Sequence, residues 1–318
     1  MKITSVAIAI VAVAALILAG AYVIANSDDG DGKEIIAVSM PWQKEMLDDI
    51  DRDDMFEIYL LIPAGASPHD GGQVSVETLT KLKSSKAWFM VGEELMIEAE
   101  MAIYDKVRDD IDSGKIVRSI EGMTLIAGGH DHEEDEHDHE DDATYDMHVW
   151  CSPDNLLIAA ENAREMLISL DPDNASAYNG GYETYAGKVN EIKDLAATVL
   201  KSIHGRTVMV WHEGWNYLLS REHIAEFGLQ DLVGHNVKEL TVANIKTLND
   251  AITEQGQTVM FAAPGSLILN SSYKGQIGIT IEEADPESPN HLQQMKNFLE
   301  LLDKHKDEFP MDPNHGHH

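Results

Sequence analysis

Short apolar runs alternate with amphipathic segments along most of the chain. Runs at residues 34–38 and 56–62 are each followed by a Pro- or Gly-containing turn and by a segment with helical spacing. The alternation returns in the runs at residues 207–211 and 258–262. Strands that alternate with helices are typical of an α/β domain with a mostly parallel sheet. The pattern therefore predicts two α/β parts.

One long helical stripe separates these two parts. Apolar residues from Tyr178 to Ile203 recur at spacings of three or four, which predicts a single helix. At a rise of about 1.5 Å per residue, a helix of roughly 25 residues spans about 40 Å, more than one small domain needs. The expected fold class is therefore α/β, with two lobes of mostly parallel sheet joined by one long connecting helix.

The beginning of the chain has a different pattern. Lys2 precedes an uncharged, mostly apolar run at residues 3–26, and an acidic segment with glycines follows. This order predicts a signal peptide or a membrane anchor with a tether, and it places the bulk of the chain outside the cytoplasm. The length of the run slightly favours an anchor. The predicted domains are the leader at residues 1–32, an N-terminal lobe at 33–172 with a loop at 128–144, the connecting helix at 173–203, a C-terminal lobe at 204–310 and a histidine-containing tail at 311–318.

Composition narrows the classes of partner. The chain has 56 acidic and 23 basic residues, a formal net charge of −33. A polyanion would be repelled, so the charge argues against a nucleic-acid partner and favours cations. The single cysteine, Cys151, allows neither an intramolecular disulfide nor a cysteine-based zinc framework. Histidine and carboxylate side chains are left as candidate metal ligands.

The loop at residues 128–144 contains four histidines among many acids: His130, His132, His137 and His139. Such a charge density cannot bury enough apolar surface to fold, so the loop is expected to be disordered. Imidazole and carboxylate groups together bind borderline divalent metals. We therefore interpret this stretch as a weak metal-collecting loop, separate from the tight site.

Three other histidines share one expected structural position. His69 and His212 lie just beyond apolar runs, and His148 follows the acidic loop. Ligands of α/β folds gather at the carboxyl ends of the strands. Zinc takes four ligands, typically imidazole and carboxylate where cysteine is absent. Asp285, between the last predicted strand and the last predicted helix, is the candidate fourth ligand.

Four segments carry a family resemblance. They are PAGASPHD at residues 63–70, DMHVWCSP at 146–153, DPDNASAYN at 171–179 and HEGWNYL at 212–218. In this order they resemble the motifs PPGxDPHxY, DPHxWLDP, DPxNAxxYxxN and HxAFxYF of the solute-binding proteins of zinc and manganese ABC importers, the cluster A-I or family 9 type. The resemblance covers residues 34–305.

The resemblance implies a metal held between two lobes by His69, His148, His212 and a carboxylate that aligns best with Asp285. It also implies that the acidic loop is the metal-rich loop of zinc-type members. The match is loosest around residues 281–286, so Glu282, Glu283 or a water remain alternatives for the fourth ligand.

The implied function is an extracytoplasmic, monomeric solute-binding protein that captures Zn²⁺, with Mn²⁺ as the alternative, and delivers it to an ABC permease. The alternatives are a secreted zinc-dependent hydrolase and a metal-buffering protein. The hydrolase has little support, because residue 216 is Asn and the His-Glu-x-x-His pattern is incomplete. No catalytic residue and no enzymatic cofactor are expected.

Overall fold

Two four-stranded parallel sheets form the framework of the fold. The computed structural model describes residues 32–128, 145–234 and 237–315. The strand order is β2-β1-β3-β4 in the first sheet and β6-β5-β7-β8 in the second, and all strand pairs are parallel. The strands are β1 (Ile35–Val38), β2 (Glu57–Leu60), β3 (Ala87–Met90), β4 (Ile116–Arg118), β5 (Thr207–Val210), β6 (Ala225–Gly228), β7 (Val259–Ala262) and β8 (Thr280–Glu283). The predicted α/β class with two parallel sheets is confirmed.

Helices connect the strands. They are α1 (Pro41–Ile50), α2 (Val76–Ser84), α3 (Glu98–Val107), α4 (Pro153–Leu170), α5 (Ala175–Ser202), α6 (Asn216–Leu219), α7 (Val242–Glu254), α8 (Ser271–Lys274) and α9 (His291–Lys304). The side chains of Ser75 and Thr241 cap helices α2 and α7, because each accepts a backbone N–H group of the first turn.

Helix α5 is the long connecting helix. Its 28 residues span about 42 Å at a rise of about 1.5 Å per residue. It packs against α1 and α4 of the first half and against α9 of the second. It comes close to α1 at Gly181, where an added Cβ would lie 2.1 Å from the carbonyl oxygen of Ile50. Glycine is therefore required at this contact.

The core follows the alternation of side chains along the strands. Val208 and Val210 of β5 belong to a large buried cluster that includes Trp88 of the first sheet. Met209, between them, packs into a second cluster on the other face of the second sheet. The larger cluster thus continues from the first sheet past α5 to the second.

Several predicted segments lie outside the described residues. These are residues 1–31 of the predicted leader, most of the metal-collecting loop, and the end of the tail at residues 316–318. Within the described ranges, no helix combines the length and the apolar character needed to cross a membrane. The described residues from Ile35 onwards belong to one unit that carries both sheets.

Candidate metal centre

The three predicted histidines meet one glutamate in a cleft between the two sheets. One ligand atom from each of His69, His148, His212 and Glu287 lies within 4.8 Å of the others. The Nε2 atoms of His69 and His212 are 3.2 Å apart. Oε1 of Glu287 lies 3.4 Å from Nε2 of His69, 3.9 Å from that of His148 and 3.8 Å from that of His212.

These separations match a tetrahedral shell. A zinc ion bound at about 2.0–2.1 Å places its ligand atoms about 3.3 Å from one another. The carboxylate-to-imidazole separations of 3.4–3.9 Å are too long for good hydrogen bonds. Nε2 of His148 and Oε1 of Glu287 are buried without a hydrogen-bond partner among the described residues. Buried polar atoms normally have partners, so this arrangement fits donors that converge on a cation.

The ends of two strands position His69 and His212. His69 lies in the loop that follows β2, where its backbone N–H donates to the hydroxyl of Ser67 at 3.2 Å. His212 lies two residues beyond β5. The turn after His212 is fixed by the buried carboxylate of Glu226, which accepts the backbone N–H groups of Gly214 and Trp215 at about 3 Å. Burial raises the pKa of Glu226 to about 8, although these hydrogen bonds oppose the rise.

His148 is held by a neighbouring carboxylate. Oδ1 of Asp146 accepts both the backbone N–H and the Nδ1–H of His148, each at 2.9 Å. This bond fixes the ring so that Nε2 faces the cleft, the arrangement typical of a metal-bound histidine with an orienting carboxylate. Burial opposes the charged imidazole, but Asp146 and Glu287 outweigh burial and raise the pKa of His148 to about 9. A metal that binds Nε2 must displace this proton, so metal affinity falls as the pH falls.

Glu287 enters the cleft through a tight turn. Oδ1 of Asp285 accepts the backbone N–H of Glu287 at 2.9 Å, which turns the chain two residues beyond Asp285. Burial raises the pKa of Glu287, but the imidazoles of His148 and His69 outweigh burial and lower it to about 2. The carboxylate is therefore charged and available to a cation.

The three predicted carboxylates are not members of the four-residue group. Asp285 lines the cleft, and its carboxylate caps the turn that presents Glu287. Glu282 pairs with Lys304 and His305, and Glu283 is exposed at the end of β8. We predicted Asp285 as the fourth ligand, with Glu282, Glu283 or a water as alternatives, whereas the carboxylate that the structure brings to the three histidines is that of Glu287. The available signal was the spacing Asp-x-Glu in a Pro-containing turn, which is typical of an aspartate that caps the residue two positions later.

Two contacts connect the segments that carry His148 and Glu287. Nε1 of Trp150 donates to the carbonyl of Pro286 at 2.7 Å, and Nε2 of His291 donates to the carbonyl of Trp150 at 2.7 Å. The ring of Trp150 also stacks on Trp42. Burial lowers the pKa of His291 to about 4, so its ring is neutral at physiological pH. Trp150 and His291 thus form a buried latch between the two sides of the cleft.

The cleft is wide and acidic. Its volume is about 1350 Å³, and its lining includes His69, His212 and the carboxylates of Asp70, Glu98, Asp231, Asp285 and Glu287. This charge favours cations over anions. The predicted weak ligands His130, His132, His137 and His139 lie outside the described residues.

The family model for the periplasmic zinc-uptake complex component A, ZnuA, matches residues 36–267 of the chain, well over half of its length. The chain belongs to the ZnuA family. The resemblance to the solute-binding proteins of zinc ABC importers is thereby confirmed.

Individual relatives and structures agree with this family. The chain is 25% identical over 216 residues to the zinc-binding protein AdcA of Streptococcus pyogenes, covering 63% of this chain and 40% of that protein. It is 22% identical over 266 residues to the zinc-binding lipoprotein AdcA of Streptococcus pneumoniae, covering 79% and 50%. The chain thus spans half or less of these relatives.

The fold is similar to that of the crystal structure of the Zn(II)-bound ZnuA-like domain of Streptococcus pneumoniae AdcA. The TM-score is 0.69 at 18% identity, over 87% of this chain and 99% of that one. At this identity the likeness concerns the fold.

Proposed function

We propose that this chain is an extracytoplasmic solute-binding protein that captures Zn²⁺ in the cleft and delivers it to an ABC permease. The observation that carries the proposal is the convergence of three imidazole nitrogens and one carboxylate oxygen within 4.8 Å of one another. Membership of the ZnuA family supports zinc as the cargo and uptake as the process.

We propose His69, His148, His212 and Glu287 as the ligands. The donor set favours zinc over manganese, because imidazole suits zinc whereas Mn²⁺ prefers more oxygen ligands. A second carboxylate would shift this preference, but Asp285 lies outside the group of four converging ligand atoms, and its Oδ1 accepts the backbone N–H of Glu287. Four protein donors also fill a tetrahedral shell, which is typical of a binding site and leaves no open position for hydrolysis.

The location and the partner follow from the family. The family is that of a periplasmic zinc-uptake component, and the AdcA relative of Streptococcus pneumoniae is a lipoprotein. These descriptions support an extracytoplasmic location for this chain and a permease as the acceptor of its metal. The N-terminal anchor, the domain boundaries and the role of the loop at residues 128–144 remain predictions.

A competitive zinc titration against a chromophoric chelator tests the ligand set. We expect Glu287→Gln to weaken zinc binding more than about 100-fold, since even outer ligand partners contribute about 10- to 100-fold. Asp285→Asn should have a smaller effect, because an amide oxygen can still accept the turn N–H. Glu283→Gln, at the exposed end of β8, is the matched control and should bind like the parent.

The opposite order of effects would contradict the assignment: parent-like binding by Glu287→Gln together with a large loss in Asp285→Asn. Delivery is tested separately by uptake of radiolabelled zinc in cells that express the chain with its permease. Glu287→Gln should lower this uptake to the level of cells without the chain.

A further inference from the structure

A second group of histidines lies on the surface of the C-terminal half of the chain. The ring centroid of His204 is 5.6 Å from that of His223 and 5.0 Å from that of His315, and His223 and His315 are 6.5 Å apart. His204 follows the end of α5, His223 follows a turn before β6, and His315 lies in the tail. All three side chains are exposed. Three separate segments thus bring their imidazoles to one place.

The spacing and chemistry of this group parallel those of the cleft. In the cleft the centroids of the three histidine rings are 4.9–5.5 Å apart. The surface group is somewhat wider, at 5.0–6.5 Å, and it also has a carboxylate, since Oε2 of Glu222 lies 3.2 Å from Nδ1 of His204. A carboxylate on one ring nitrogen leaves the other free to bind a metal, as Asp146 does for His148.

The backbone fixes these three positions. The tail pairs with the start of β5: the N–H of Thr207 donates to the carbonyl of Pro310 at 2.9 Å, and the N–H of Asp312 donates to that of Gly205 at 2.9 Å. The ring of His315 lies against Gly205, where an added Cβ would be 2.6 Å from Nε2. The group therefore forms at the amino-terminal edge of the second sheet, whereas His212 lies at the carboxyl edge.

We propose that His204, His223 and His315 form a second site for a divalent transition metal, which fastens the tail to the C-terminal half of the chain. Imidazole suits Zn²⁺, Ni²⁺ and Cu²⁺, and zinc is the ion that the proposed function would supply. Among the described residues, only the cleft group has its ligand atoms within 4.8 Å of one another. The exposed rings must therefore rotate to share an ion, and the surface site binds more weakly than the cleft.

The test is NMR of the full chain labelled with ¹³C in the histidine rings. One equivalent of ZnCl₂ fills the cleft first, and further zinc then titrates the surface group. We expect the ring signals of His204, His223 and His315 to shift together along one binding curve. His305 is the internal control, because both of its ring nitrogens already face carboxylates, at 2.7 and 2.9 Å.

His223→Asn removes one imidazole and keeps the backbone. His223 has a φ of 52°, a left-handed conformation that asparagine tolerates. The variant should still take the first equivalent of zinc in the cleft, which shows that it is folded. In this variant, the zinc concentration at which the ring signals of His204 and His315 reach half of their shift should rise at least tenfold.

Two results would overturn the proposal. One is a shift of His315 alone, and the other is an unchanged response of His204 and His315 in His223→Asn. The first result would mean that metal binds adventitiously to the tail, and the second that His223 is not a ligand. Cleft binding is measured by the first equivalent, so failure of this proposal would not affect the proposed function.

Discussion

Replacing Asp146 tests whether an orienting carboxylate contributes to zinc affinity. Asp146 accepts two hydrogen bonds of 2.9 Å from His148 and lies outside the four-residue ligand group. Its pKa is lowered: burial opposes this, but the contacts with His148 outweigh burial, so the carboxylate is ionised. Asp146→Asn keeps an oxygen that can accept both bonds and removes only the charge. Asp146→Ala removes both bonds.

The expected losses follow from the strengths of these bonds. A hydrogen bond to a charged group contributes about 1.5–3 kcal/mol and a neutral one about 0.5–1.5 kcal/mol. The difference of about 1–1.5 kcal/mol predicts that Asp146→Asn weakens zinc binding roughly tenfold. Asp146→Ala should approach the upper end of the roughly 10- to 100-fold range for such partners.

The assay is chelator competition at fixed ionic strength, with Asp70→Asn as the matched control. Asp70 also lines the cleft, but its carboxylate accepts the backbone N–H of Gly72. Asp146 also favours the protonated form of His148, and this proton competes with zinc. The loss of zinc affinity in Asp146→Asn should therefore be smaller at neutral pH than above the pKa of His148, which is about 9. Equal losses of zinc affinity in Asp146→Asn and Asp70→Asn at every pH would leave only a general effect of charge. Orientation would be refuted if Asp146→Ala bound zinc as tightly as Asp146→Asn.

Three further predictions concern the packing of the long helix and the contacts beside the cleft. Gly181→Ala should lower the free energy of unfolding by about 2–3 kcal/mol, because its Cβ meets the backbone of α1. Gly180→Ala is the control: it has open space around it and should stabilise the helix by up to about 1 kcal/mol. Equal effects of the two variants in denaturant unfolding would contradict this contact. Trp150→Phe removes the hydrogen bond from Nε1 to the carbonyl of Pro286 and should weaken zinc binding several-fold. Trp42→Phe is the control and should bind zinc like the parent, because Nε1 of Trp42 has no hydrogen-bond partner among the described residues. The folded state disfavours protonation of His291, so the free energy of unfolding should fall by about 3 kcal/mol as the pH falls from 6.5 to 4. Thermal unfolding of His291→Gln should show a weaker dependence of stability on pH over this range.

The sequence predicted the architecture because its signals are local and periodic. Strands such as Val259–Ala262 are continuous apolar runs, and the long helix keeps its spacing from Tyr178 to Ile203. The strand Ala225–Gly228 was not predicted, because its residues are only partly buried and lack an apolar run. The three histidines could be grouped in advance because strand ends share one edge of a sheet.

The fourth member of the group depends on geometry that periodicity does not describe. The family motif is loosest between Ile281 and Pro286, and the nearest aligned carboxylate was Asp285. In the structure, Asp285 accepts the N–H of Glu287 and so aims the next carboxylate into the cleft. A turn of this kind redirects the chain through one hydrogen bond, which neither strand nor helix spacing predicts.

The most direct test of the metal centre is X-ray diffraction from zinc-loaded crystals, with anomalous data at the zinc absorption edge. We expect one strong peak in the cleft, about 2.0–2.1 Å from Nε2 of His69, His148 and His212 and from a carboxylate oxygen of Glu287. A peak coordinated by Asp285 with Glu287 outside the shell, or a cleft without a peak, would contradict this expectation.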